Sequence, residues 1–482
     1  MSNSAVQAYG GDEITAIIID PGSFTTNIGY SGTDCPQAIL PSKYGQFTND
    51  SSKPVIFNEQ AMMIPREDYE IKNIVANGEV VDWDKAQEQW EWAIKSELKF
   101  ESNKGLPAFV TEPIWNSEDN RKKLLEVLLE GMDFEACYVT PIATAVSFAM
   151  GRPTCLVVDI GHDVTSVSPV IDGMTLSKSS RRSYIAGALL NELIKKRLAP
   201  KEVIPLFQVA KKRPEFVRRK FDFDIHPSLV HMANERQFFQ EFKETLLQVA
   251  PTTLDKFKPE LEQLAKRSVE APWGEELVFD SVSRFSYAEQ LFRPDGSQFP
   301  SEWPVSVDGI VETWHNDYIP LKRNKPGAAN STKEKEGTAD ATPIPDESSV
   351  TPSEHVNENG KRAIEEDAAE AKNEIAGLAD LIHSSIMSTD VDLRTTLAHN
   401  VVITGGSSAI PGLTDRILAE LNISLPALKF RMLASGQTRE RQYQAWLGGS
   451  ILASLGTFHQ LWVGKEEYAE VGADRLLKDR FR

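Results

Sequence analysis

The sequence predicts an α/β protein, and three observations carry that reading. Short β-branched runs alternate with stretches that are apolar at helical spacing. Two of the strand runs close on the same Asp-x-Gly-x-x-x-Thr pattern, at Asp20 and at Asp159. A third glycine turn, Gly405-Gly406, follows another strand and opens toward a helix.

Composition sets the bounds. The chain has 482 residues, 41% hydrophobic and 25% charged, which is globular composition with length for about three domain-sized units. A chain of this size buries a large core without covalent staples. Cys35, Cys137 and Cys155 are too few and too scattered for a disulfide framework or a zinc site, so a reducing compartment is expected. The N-terminal segment has neither a basic start nor an apolar core of the kind a secretory signal needs. The apolar run 16–19 is far too short to span a bilayer, and no membrane association is expected. A net charge of −18 speaks against wrapping bulk DNA or RNA, where affinity comes from neutralising phosphates. It suits basic protein partners, and equally plain solubility.

In chain order, TAIIID (15–20) reads as a buried strand, and the following PGSFTTNIGY turns back into a second one. PAFVTEP is a further buried strand, and NRKKLLEVLLEGM (120–132) an amphipathic helix ending at Gly131. CLVVDI and VTSVSPVIDG repeat the strand–turn–strand pattern. Over 324–373 there is no Phe, Tyr, Trp or Leu, so this stretch is expected to be a disordered insertion, unable to offset its ordering entropy. Folded-looking sequence resumes at Ile375 with GLADLIHSSIM, so the insertion interrupts a domain. VVITGG followed by LTDRILAELN reads strand, glycine turn, helix.

The repeated pattern has a chemical use. Glycine in a tight hairpin lets backbone N–H groups turn toward an anion, as at Gly22 with Ser23 and at Gly161. A carboxylate at the strand end, Asp20 or Asp159, suits the water shell that magnesium usually keeps. Two such hairpins from two halves of a molecule would grip a triphosphate from both sides. Two unrelated β-hairpins would give the same pattern, since Asp-x-Gly is common. At Gly405, Gly406 and Ser407 glycines would admit a ring or ribose beside a helix N-terminus.

These three turns, in this order, resemble the actin family: two phosphate loops, then the adenosine loop. The run Trp446-Leu447-Gly448-Gly449-Ser450-Ile451-Leu452-Ala453-Ser454-Leu455-Gly456-Thr457-Phe458 nearly reproduces actin's own. The resemblance covers most of the chain outside the insertion. It implies an actin-type fold, two lobes each with a duplicated mixed-sheet α/β core around a nucleotide cleft. The first lobe would take 1–149 and 444–482, the second 150–443. WNSEDNRKKLLEVLLEGM, the insertion and the LKDRFR terminus resemble a nuclear actin-related protein of the chromatin-complex class. That implies a nuclear, non-catalytic subunit of chromatin remodelling and histone acetyltransferase complexes, in transcription regulation and DNA repair. The enzyme alternative is an active actin-fold ATPase.

By the resemblance the cofactors are ATP and Mg2+, the metal held through water by Asp20 and Asp159. Gly22, Ser23, Gly161, Gly187, Lys243, Glu244, Gly405, Gly406 and Ser407 would complete the nucleotide site. Lys243 and Glu244 also fit an ordinary solvated helix face. Departures from the family pattern point away from catalysis. Asn27 stands where actin has a phosphate-binding lysine, and Phe24 where a glycine is usual. His162-Asp163 replaces an Asp-Gly pair, and Ser166 replaces a histidine. Ile142 takes the place of the water-orienting glutamine and can neither donate nor accept a hydrogen bond. Hydrolysis should suffer more than binding.

Phe148, Ile451, Leu452, Leu455 and Leu461 match the family's apolar cleft, a groove for an amphipathic helix, although such spacing is also plain core. The implied partners are monomeric actin, the helicase–SANT-associated helix of a remodeller or scaffold subunit, and histones. The sequence between Pro41 and Trp83 departs from actin's inter-subunit loop, so a homopolymer is not expected. The basic run 211–220 reads as an import signal, a DNA contact or a solvated stretch.

Overall fold

The computed structural model describes residues 15–50, 52–301, 303–304 and 375–481. The insertion predicted over 324–373 lies outside the described residues.

Two mixed sheets form the frame. The first joins β1 (Ile17–Pro21), β2 (Thr25–Tyr30), β3 (Ala38–Pro41), β4 (Pro107–Glu112), β5 (Ala136–Pro141) and a late strand (Val463–Gly464). In space β1 lies between β2, antiparallel to it, and β4, parallel to it, with β5 next to β4 and the late strand outermost. The second sheet uses β6 (Cys155–Ile160), β7 (Thr165–Ile171), β8 (Met174–Thr175), β9 (Arg181–Ser183), β10 (Val401–Thr404) and β11 (Met432–Ala434). Its wiring repeats the first: β6 has β7 antiparallel on one side and β10 parallel on the other. Asp20 pairs with Asn27 in one hairpin and Asp159 with Ser166 in the other, so each aspartate sits at the closing end of its strand.

The strands form where the sequence is richest in Ile and Val, the residues that fit a pleated, buried surface. All five residues of β1 are buried, as are all six of β4. Parallel strands covered on both faces read as continuous apolar runs for this reason. One large core gathers Ile17, Ile19, Trp90, Val110, Leu128 and Phe134. Another gathers Leu156, Val158, Leu189, Phe238, Phe292 and Ile403.

The helix expected at 120–132 starts earlier, as Glu118–Glu126, because Ser117 accepts a hydrogen bond from the Asn120 N–H and caps it. Its last turn, Val127–Gly131, is a π-helix. Arg121 ties this helix to the Glu112 carboxylate at 2.8 Å and to the Phe481 carbonyl at 2.7 Å, anchoring the C-terminal segment. No described helix is long and apolar enough to cross a membrane.

Candidate functional site

The two hairpin turns are built alike. The Gly22 N–H donates to the Thr25 carbonyl at 3.1 Å, and the Gly161 N–H to the Val164 carbonyl at 3.0 Å. A Cβ at either glycine would sit 2.9 Å from that carbonyl oxygen, so only glycine allows the turn. The N–H groups of Ser23, Phe24, His162 and Asp163 donate to no atom of the described residues.

Behind each turn lies its aspartate. Asp20 is buried and accepts from Thr111 Oγ1 at 2.5 Å and from Asn27 Nδ2 at 3.1 Å. Asn27, at the place of the family's lysine, is therefore engaged with the carboxylate beneath the turn. Burial raises the Asp20 carboxyl above its ordinary value, against the pull of those two hydrogen bonds. Burial, and then the Asp20 charge, push Asp159 up to about 7.

That shift has a measurable consequence. An unfolded aspartate titrates near about 3.9, so without a cation the folded state holds the Asp159 proton over a wider range. The protonated form favours folding below the unfolded value, and this contribution is lost as pH rises toward about 7. Nucleotide-free, metal-free protein should melt several degrees higher at pH 5 than at pH 8, and Asp159→Asn should flatten that slope. Calorimetry at the two pH values tests it, and identical melting would refute the raised Asp159 pKa.

The third turn closes on the second. Gly405 has φ of 89°, a left-handed value that favours glycine, and its N–H donates to the Arg441 carbonyl at 2.9 Å. A Cβ there would lie 2.4 Å from Asp159 Oδ1 and from the Ile160 carbonyl oxygen. Gly406 begins a short 3-10 turn, Gly406–Ala409. Ser407 Oγ donates to the Gly161 carbonyl at 2.8 Å, and the Gly187 N–H reaches the same oxygen at 3.2 Å. Lys243 Nζ donates to the Gly187 carbonyl at 3.3 Å, and burial lowers its pKa to about 8. The Gly161 turn, Gly187, Lys243 and the Gly405 turn are thus one connected wall. Glu244 is not part of it by contact: it is exposed and accepts from Gln240 at 3.1 Å.

Several residues cross between the two sheets' loops. Ser23 Oγ accepts from the Gly78 N–H at 2.9 Å, and Asp163 Oδ2 from the Asn77 N–H at 2.8 Å. A single hairpin turn, Asn77-Gly78, therefore holds both loops. The Asn-Gly dipeptide is a strong hairpin signal, and that signal could have found it. Lys43 Nζ lies 2.7 Å from Glu235 Oε2, and His162 Nε2 lies 2.9 Å from Glu235 Oε1. Burial opposes ionisation of Glu235, but the bonds and charges of His162 and Lys43 outweigh it and hold the carboxyl well below its usual range. The Phe24 ring sits between the Arg236 guanidinium, 3.8 Å from its centroid, and the His162 ring at 4.9 Å. Arg236 also donates to the Phe24 carbonyl at 2.6 Å. Beyond this stack lies a cavity of about 160 Å³ bordered by Lys43, Asn73, His162, Asn191 and Glu235.

The Actin family profile matches residues 11–481. The chain belongs to the actin family. It is 75% identical to Actin-related protein 4 of Eremothecium gossypii over 482 residues, covering all of both chains. It is 60% identical to Actin-related protein 4 of Saccharomyces cerevisiae, again over the full length of both. At 32% identity it still matches 97% of Actin-related protein 4 of Schizosaccharomyces pombe.

Within this actin fold the family's apolar-cleft positions divide. Ile451, Leu455 and Leu461 are exposed, and Phe148 is half-buried. Leu452 is 6% exposed and packs with Trp446, Phe109 and Phe458, so it belongs to the core and not to a groove. On the helix Gln444–Ala453 it lies about 100° round from Ile451, which turns it inward. Ile142 starts the helix Ile142–Ala149 after β5 and packs against the cluster of Val157, Val402 and Ala445.

Proposed function

We propose that this chain is a non-catalytic, ATP-holding actin-related subunit of nuclear chromatin remodelling and histone acetyltransferase complexes. The observation that carries the nucleotide reading is the pair of glycine hairpins with free N–H groups, each following a strand that closes on an aspartate, Asp20 buried and Asp159 half-buried. Such a set fits a triphosphate with a hydrated divalent cation: N–H groups for phosphate oxygens, Asp20 and Asp159 for the cation's waters. The cation would supply charge neutralisation there. Lys243, Gly187 and the Gly405 turn would take the adenosine side.

The same residues support retention without turnover. Ile142 has no group to orient water, and Asn27 is engaged with Asp20. Phosphoryl transfer depends on positioning and charge stabilisation, and both are short here. The Phe24 stack, the Lys43–Glu235 pair and the Asn77-Gly78 turn all join the two sides and must part for exchange. Phe24→Gly is therefore expected to speed nucleotide release by about tenfold or more, since it removes a cation–π contact worth about 1–2 kcal/mol when desolvated. Unchanged release of a fluorescent ATP analogue would refute that role.

Protein purified natively and then denatured should release near-stoichiometric ATP, with no steady-state hydrolysis. Ile142→Gln should raise single-turnover hydrolysis, by up to about 10²-fold if water orientation is the principal deficit. Sustained turnover by the unaltered protein would put the active ATPase reading first.

Ile451, Leu455 and Leu461 support a groove for the helicase–SANT-associated helix, with monomeric actin and histones as further partners. Assembly through that surface, rather than self-polymerisation, is expected. Pelletable filaments of the pure protein in polymerising salt would overturn it.

A further inference from the structure

We infer that the exposed β-ribbon formed by Val209–Lys211 and Val217–Arg218 is a contact surface for the phosphate backbone of double-stranded DNA. All ten residues 211–220 are exposed. They carry six cations, Lys211, Lys212, Arg213, Arg218, Arg219 and Lys220, against one carboxylate, Glu215, in a chain whose net charge is −18. Two of the six have acidic partners: Arg213 meets Glu270 at 3.2 Å, and Arg218 meets Glu202 at 2.9 Å. Both pairs are surface-exposed and therefore weak enough to exchange for phosphates. Lys211, Lys212, Arg219 and Lys220 have no carboxylate partner among the described residues.

The ribbon is held in place. The Arg219 N–H donates to the Gln208 carbonyl at 2.7 Å, Lys211 pairs with Val217, and Val209 with Arg218. Gly274 of the neighbouring hairpin packs its backbone against Lys212, where a Cβ would come within 3.0 Å. Phe207, Phe221 and Phe223 stack below, with ring centroids 6.4 and 5.6 Å apart. An import signal is read as a free, extended peptide, and this backbone is already committed to its partner strand. A fixed, two-stranded display of unpaired cations instead suits the regularly spaced charges of a duplex. Phe216 at 39% and Val217 at 48% exposure add apolar surface beside them, suited to sugar edges. The acidic remainder of the chain confines the contact to this ribbon and makes it dependent on salt.

The test is fluorescence anisotropy of the full chain with a labelled duplex of arbitrary sequence, about 30 base pairs long, across a salt series. Four freed phosphate counterions predict a log–log salt slope near −3.6, about −0.9 for each. Lys211→Gln/Lys212→Gln/Arg219→Gln/Lys220→Gln should weaken binding at least tenfold at low salt and flatten the slope, with melting unchanged. The pairwise variants Lys211→Gln/Lys212→Gln and Arg219→Gln/Lys220→Gln should each give part of the loss and serve if the quadruple variant folds poorly. No binding at low salt, unchanged affinity in the variants, or equal affinity for polyglutamate would each overturn the assignment.

Discussion

Replacing Gly405 by alanine should empty the proposed nucleotide site. The added Cβ would press on Asp159 Oδ1 and the Ile160 carbonyl oxygen at 2.4 Å, both belonging to the buried end of β6. The Ile160 carbonyl is main chain and cannot swing aside. The left-handed φ of 89° adds strain for any L side chain, of order 1–3 kcal/mol. The turn would have to move away from the Gly161 hairpin, breaking the Ser407–Gly161 bond and the wall that continues to Lys243. Nucleotide content after native purification should fall from near one per chain to near zero. Full retention by Gly405→Ala would show that the turn is not part of the nucleotide site.

The second large effect is remote from the cleft. Arg416 is fully buried, with Glu289 Oε1 at 2.8 Å and Oε2 at 3.0 Å, and Glu420 Oε1 at 2.6 Å. It also donates to the carbonyls of Ala250, at 3.0 Å, and Thr252, and its guanidinium lies over the Phe292 ring. Glu289→Ala leaves that guanidinium short of an acidic partner in the core, a change that costs about 3–5 kcal/mol in buried pairs. Melting should drop by about 3–5 °C, since a chain of this size loses about 1 °C per kcal/mol. Glu289→Ala/Arg416→Met should recover part of the loss, because it removes the unpaired guanidinium while Glu420 keeps Arg293 at 3.2 Å. Additive losses in the double variant would show that the pair is not what Glu289 contributes. The strength of this network comes from burial that joins residues far apart in sequence, and sequence reading did not single it out.

The site itself was half legible. Asp20, Asp159 and their glycines could be read because a strand end, a tight hairpin and an acidic residue are all local features with fixed spacing. Gly405 followed from the same logic. Lys243 needed family resemblance, since FKETL has the pattern of any helix surface; folding buries it against Gly187, while its neighbour Glu244 stays in solvent. Leu452 shows the converse, a residue assigned to a surface that the helix rotates into the core. Phe24 and His162 depart from the family pattern within the sequence, but their stacking with Arg236 is not legible there, because the three lie on separate segments.

From the sequence alone come the α/β class and the order of the two hairpins. Each of these depends on residue type and short-range spacing, which the chain carries in one dimension. Only the tertiary structure decides that Asp159 titrates near about 7, that Glu235 draws Lys43 and His162 together, and that Asn77-Gly78 holds both loops. Those are properties of burial and of distances between loops far apart in sequence, which exist only once the chain is folded.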